Sequence, residues 1–176
     1  MKLETLTPPD EEPISLEEAK RFARLHLDIS DDDELVESLI QSARELLESR
    51  VARRFVEATL RETRTIPRDG RVKLLRAPVA EILSVEVDGE PLDDLPPLQG
   101  EATLEITPPG ATVVITYRAG YGAANQVPEA AKTILKMLVA HWYGRRTPTN
   151  REAQNAVPMH VDALCDSLRW GGEIPR

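Results

Sequence analysis

Apolar and polar positions along this chain change their period twice. Residues 1–13 are polar, hold Pro8, Pro9 and Pro13, and predict an extended arm over 1–14. Ile14-Ser15-Leu16-Glu17-Glu18 then reads as a capped helix start: Ser15 can accept from the Glu18 amide, Glu18 can reach back to Ser15, and Ile14 can staple onto Ala19. Leu16, Ala19, Phe22, Ala23 and Leu27 share one face at helical spacing, so this helix is expected to stop near Asp28. A second start follows at Ser30-Asp31-Asp32-Asp33-Glu34, with carboxylates in the first turn where the macrodipole favours them. Leu35, Val36, Leu39, Ile40, Ala43, Leu46, Leu47, Val51 and Phe55 continue its apolar stripe, opposite a polar face of Glu37, Gln41, Arg44, Glu45 and Glu48. Two helices are therefore predicted over 15–57.

From about Thr59 the period shortens. Leu60–Ile66, Arg71–Leu75, Ile82–Val87, Ala102–Ile106 and Thr112–Tyr117 read as short strands, with turns at Asp69-Gly70, Asp88-Gly89 and Pro108-Pro109-Gly110. The proline-rich stretch Pro91–Gly100 is expected to be a loop. Residues 59–117 thus predict a small antiparallel β unit of four or five strands. Ala119-Gly120-Tyr121-Gly122 breaks the pattern, and Pro128 stands where a third helix (128–143) would begin. Its buried face is Ala131, Ile134, Leu135, Leu138, Val139 and Trp142, and Gly144 ends it. Arg145–Ala156 is polar. Pro158 opens a last helix (158–169), where Val161, Leu164, Cys165 and Leu168 recur at i, i+3, i+4 and i+7, and 170–176 form a tail. The fold class expected is α+β: mainly a bundle of about four helices with a small inserted antiparallel β unit, in one domain over 1–176.

Composition narrows the function. The 176 residues suffice for one core without disulfides or a structural metal. Hydrophobic residues at 41% and charged residues at 30% belong to a globular chain. No apolar run approaches the roughly 18 residues of a spanning helix, and the first thirteen residues lack the apolar stretch of a secretion signal, so no membrane role is expected. The single cysteine, Cys165, allows no internal disulfide. Aromatics at 4% supply few stacking surfaces for single-stranded nucleic acid. The net charge of -8 is concentrated early: residues 1–57 hold 15 acidic against 8 basic side chains, the remainder 15 against 14. Such a chain lacks the clustered cations of a duplex-binding protein.

Candidate chemistry is sparse. Asp28, Asp31, Asp32, Asp33 and Glu34 suggest a metal site, and a metal-dependent hydrolase using this cluster is one alternative. The calcium-loop pattern fails, however: counting from Asp28, the sixth position is Asp33 rather than glycine and the twelfth is Leu39 rather than glutamate. A capped helix start explains the cluster better. His26, His141 and His160 share no zinc-binding spacing. Cys165 lies on an apolar stripe, where a core role is the default. Gly120 and Gly122 lack the lysine and hydroxyl residue of a phosphate loop. Arg145, Arg146 and Arg151 form a compact basic group able to touch phosphates or an acidic neighbour, which keeps a small DNA-packaging or regulatory protein as a second alternative. No catalytic, cofactor-binding or metal-binding residue is assigned, and no enzyme is expected.

Thr7-Pro8-Pro9, then Glu12-Pro13-Ile14-Ser15-Leu16-Glu17-Glu18-Ala19-Lys20, Asp31-Asp32-Asp33-Glu34-Leu35-Val36, Tyr117-Arg118-Ala119-Gly120-Tyr121-Gly122, Val127-Pro128 and His141-Trp142-Tyr143 follow one another in an order and spacing that cover nearly the whole chain. Together they resemble the head–tail connector (adaptor) proteins of long-tailed bacteriophages and gene transfer agents. The β part is more compact here, between Val72 and Tyr117, than in many such proteins. The resemblance implies a homo-oligomeric ring, with twelve subunits the expected number, in the neck of a virion or phage-like particle made in the bacterial cytoplasm. It implies a portal protein as partner, bound through Pro158–Arg176, with Val161, Leu164, Leu168, Arg169, Trp170, Ile174 and Arg176 as the contact. Loops of the β part would face a downstream tail-side connector or stopper protein. DNA would pass through the channel without sequence-specific binding, and no cofactor is implied. Two features of the residues agree: Trp170 and Ile174 are anchor types, and the acidity of 1–57 would repel phosphates from a channel wall.

Overall fold

A computed structural model describes residues 1–144 and 159–169, with the side chains of the second stretch described from Leu164 onward. The chain divides into two units, one built from Met1–Asp10 and Ala52–Gly122, the other from Glu11–Val51 and the described part of Ala123–Arg169.

The first unit is all β. Strands β1 (Lys2–Thr7), β2 (Ala58–Thr65), β3 (Arg71–Lys73), β4 (Val79–Val87), β5 (Glu90–Pro91), β6 (Thr103–Glu105) and β7 (Thr112–Ala119) form two antiparallel sheets. The larger has the order β1-β2-β7-β4-β5, and the smaller pairs β3 with β6. Alternation explains the packing. Val113, Ile115, Tyr117 and Ala119 of β7 are buried, Leu60 of β2 lies opposite Tyr117, and Val85 of β4 lies opposite Ile115. Val72 and Leu104 bring the smaller sheet into the same core. At the Asp88-Gly89 turn both residues have positive φ (51° and 87°), as a two-residue hairpin requires.

The β unit is therefore larger than the small insert predicted from the sequence, and the expectation of a mainly helical bundle is corrected: among the described residues one unit holds seven strands with their own core and the other holds the helices. Part of the 1–14 arm is the reason. Lys2–Thr7 pairs with β2 as an edge strand that is mostly exposed, so apart from Leu3, which packs on the core, it carries little apolar signal. The fold is α+β.

The second unit holds α1 (Leu16–Phe22), α2 (Asp33–Val51), α3 (Glu129–Gly144) and α4 (Met159–Leu168). The capping box forms: the Glu18 amide donates to Ser15 Oγ at 3.1 Å and the Ser15 amide to Glu18 Oε2 at 2.8 Å. Ser15→Ala is expected to lower stability by about 1 kcal/mol in urea unfolding; no loss would mean that the box contributes nothing.

Helix α1 ends at Phe22, not near Asp28. Arg24 adopts a left-handed conformation (φ 58°), so the helical phase is lost and Leu27 is left 43% exposed; Phe22, the last residue of α1, is 45% exposed. Lys20 is buried instead. Its ammonium donates to the carbonyls of Leu27 (3.3 Å) and Ile29 (2.6 Å) and to Asp33 (2.7 Å), tying down the loop between α1 and α2. The polar face expected on α2 is also partly inside. Arg44 donates through Nε and Nη2 to both oxygens of Glu12 (2.7 and 3.1 Å) and through Nη1 to the buried Glu48 (3.3 Å). In α3, Ala131, Ile134, Leu135, Leu138 and Val139 are buried as predicted, and Trp142 is half-buried.

Candidate interaction surfaces

The portal contact expected from the sequence falls on α4 and beyond. Helix α4 packs against α2 and α3. Cys165 is buried and forms no disulfide, while Leu164 is 38% exposed and Leu168 half-buried. Arg169 is exposed and pairs with Asp166 at 3.1 Å. The apolar stripe therefore splits, with Cys165 serving the fold and Leu164 facing solvent. Trp170, Ile174 and Arg176 lie outside the described residues, as does the side chain of Val161.

A second surface is a groove of about 840 Å³ between the segment leading into α1, the first half of α2 and the start of α3. Ile14 and Ile40 contribute apolar lining, and Glu11, Glu12, Glu18, Glu34 and Glu37 supply carboxylates. Glu11 accepts from the Ala124 amide at 2.7 Å, and Glu12 holds Arg44. Glu18 stays below the usual carboxylate range because it accepts the Ser15 amide, an effect that burial opposes and Lys136 and Lys132 reinforce. Lys132 also lines the groove and pairs with Glu129 at 3.1 Å. Sequence reasoning missed this groove because its walls come from segments near positions 11–18, 34–41 and 124–132. No local spacing joins them.

The acidic run at Asp28–Glu34 is dispersed. Asp33 holds Lys20, Asp32 accepts from the Tyr143 hydroxyl, and Asp28 and Asp31 face solvent. Among the described residues no group of three or more His, Cys, Asp or Glu side chains converges as a metal site. His26 is exposed and His141 is half-buried on α3. Arg145, Arg146, Arg151 and the side chain of His160 lie outside the described residues. Gly120 lies against the backbone of Val56 and Glu57, so its role is close packing. Among the described residues no helix is long and apolar enough to cross a membrane.

No curated protein matches the sequence. Solved structures do match the fold. A chain from the neck of an empty GTA particle, computed with C6 symmetry, is 24% identical with a TM-score of 0.76, covering 98% of this chain and 99% of that one. A chain from the virion of a native gene transfer agent (GTA) particle is 23% identical, with the same TM-score and coverage. A chain from the neck of a native GTA particle, computed with C12 symmetry, is 23% identical with a TM-score of 0.68 over the same shares. A family model described as head completion protein matches residues 12–165. That span runs from the carboxylate that holds Arg44 to the buried cysteine of α4, through all four helices and every strand but β1, and by it the chain belongs to the head completion protein family.

Proposed function

We propose that this protein is a ring-forming head–tail connector that docks under the portal, joins the DNA-filled head to the tail and continues the DNA channel. The observation that carries this reading is the likeness, over 98% of this chain, to chains of GTA necks computed with C6 and C12 symmetry. Membership of the head completion family supports a structural role at the head–tail junction. In this reading residues 158–176 engage the portal, with Val161, Leu164, Leu168, Arg169, Trp170, Ile174 and Arg176 as the contact. The exposed Leu164 suits such a contact. The loop after β5 carries the exposed Leu95 and Leu98 and suits the downstream tail-side component. The acidity of residues 1–57 suits a channel through which DNA slides without sticking.

Light scattering of the purified protein, alone and mixed with its portal, tests the reading. A multi-subunit complex that is lost on deleting residues 158–176 is the expected result. A protein that stays monomeric and ignores the portal would overturn it.

A further inference from the structure

We propose that the N-terminal strand is exchanged between subunits: as the ring forms, β1 of one folded copy leaves its own β2 and pairs with β2 of the adjacent copy. The inference rests on the ring reading above and adds to it the contact by which copies are tied together.

The contact itself is already visible, made within one chain. Leu3 lies opposite Glu62, Glu4 opposite Arg61 and Thr5 opposite Leu60. Leu3 packs on the β core, and the Thr5 hydroxyl accepts from Arg54 at 3.3 Å. Every copy carries the same strand and the same edge, so a neighbour's β1 can make each of these contacts in the same register. Exchange therefore needs no new complementarity. Only the segment that joins β1 to the rest of the chain must change its course.

The strand and that segment are built for the change. β1 is held lightly: Leu3 and Glu4 are half-buried, and the rest of the strand is exposed. The chain beyond it is held firmly. Glu11 accepts from the Ala124 amide at 2.7 Å, and both carboxylate oxygens of Glu12 take Arg44. Between them, Pro8-Pro9-Asp10 leads to the point where the chain passes from the β unit to the helical unit. The two prolines fix φ and cannot donate to a sheet, which favours an extended, projecting course over a turn. The irregularity in the pairing falls here too. Between Thr5 and Thr7 the register shifts, and Leu6 has no partner in β2 and stays 46% exposed. Straightened, residues 6–10 span up to about 17 Å, enough to reach a subunit in direct contact but not one further round a ring. A strand given to one neighbour and another received from the next make a head-to-tail contact, the kind that closes into rings.

A lock and a crosslink test this. Glu4 and Arg61 oppose each other on the side of the pair away from Leu3, and directly opposed strand residues lie within reach of a disulfide. In E4C/R61C the oxidised bond closes each chain on its own β2; intact mass and peptide mapping assign it, and circular dichroism should show the fold kept. The native Cys165 is buried, away from the oxidant. Native mass spectrometry with the purified portal counts the copies of this chain per portal ring. Wild type and reduced E4C/R61C should give a full ring, and the oxidised protein should lose most of its copies. In rings assembled from an equimolar mixture of the single variants E4C and R61C, oxidation should join chains in pairs, because opposed thiols then lie on different copies. Wild type that neither self-associates nor joins the portal would overturn the ring reading and the exchange with it. Oxidised E4C/R61C that assembles like wild type would overturn the exchange alone. A lock that blocks assembly, with no joined pairs in the mixed rings, would overturn the neighbour's β2 as the place where the strand goes.

Discussion

Gly120→Ala is expected to cost about 3–5 kcal/mol of folding stability, read from urea unfolding. Gly120 has φ +138°, and a Cβ there would lie 2.6 Å from the Glu57 nitrogen and 2.7 Å from both the Glu57 Cα and the Val56 carbonyl carbon. Backbone atoms cannot rotate away as a side chain can. They are also pinned: the Gly120 amide donates to the Pro78 carbonyl (2.9 Å), the Tyr121 amide to Phe55 (2.9 Å) and the Glu57 amide to Gly122 (3.1 Å). Gly89→Ala is the control. Gly89 also has positive φ (+87°), but a Cβ added there would meet nothing within 4 Å, so only the conformational strain of about 1 kcal/mol applies. Equal losses in the two variants would show that the close approach at Gly120 has no energetic consequence.

Glu62→Ala is expected to cost about as much, 3–5 kcal/mol, roughly the effect of breaking a buried ion pair from one side. Glu62 lies on the inward face of β2 and is fully buried. Its Oε2 accepts from the Leu75 amide (2.9 Å) and the Tyr117 hydroxyl (3.2 Å), and its Oε1 from Arg64 Nη1 (3.1 Å). The same Nη1 donates to the Lys73 carbonyl at 2.6 Å, so one carboxylate joins β2, β7 and the end of β3. Alanine would take their acceptor from the Leu75 amide and the Tyr117 hydroxyl and weaken the hold on a guanidinium, whereas Tyr117→Phe removes the hydroxyl alone and should cost only about 1 kcal/mol.

The site also sets an alkaline limit. Burial first, and then the Glu62 charge, push the Tyr117 phenol well above its ordinary 10.0. Unfolded tyrosine releases its proton near that value while folded Tyr117 keeps it, so above it the native state binds more protons. The stability from this group is whole below about pH 10 and falls above it, by about 1.4 kcal/mol per pH unit. Unfolding free energies between about pH 9 and 11.5 should show this slope in wild type and a shallower one in Tyr117→Phe. Identical slopes would exclude Tyr117 as the cause.

What could be read from the sequence was local. The capping box is written in four consecutive residues, and the strands β2, β3, β4, β6 and β7 follow from alternation between marked turns. Burial of charge was not readable. Lys20, Arg44 and Glu48 look solvent-facing until the loop carbonyls and Glu12 arrive from elsewhere to satisfy them. Leu27 looks buried because the helical period was carried past a left-handed residue, Arg24, that no local signal marks. The groove shares this difficulty, since its carboxylates become neighbours only when α1 and the segment leading into it pack on α2. On α4 the stripe was legible, but which of Leu164 and Cys165 faces inward depends on where α2 and α3 lie.

The edge strand β1 has a consequence for how the chain emerges from the ribosome. Synthesis proceeds from the N-terminus, so Lys2–Thr7 is made before α1, α2 and its partner β2, and β2 in turn precedes β7 by about fifty residues. β1 thus waits through the synthesis of both helices before its partner exists. Its exposed Lys2–Glu4 pair, at 2.8 Å, and the prolines that follow it are gatekeepers suited to that wait: they keep the nascent strand soluble and deter pairing with another chain until β2 arrives.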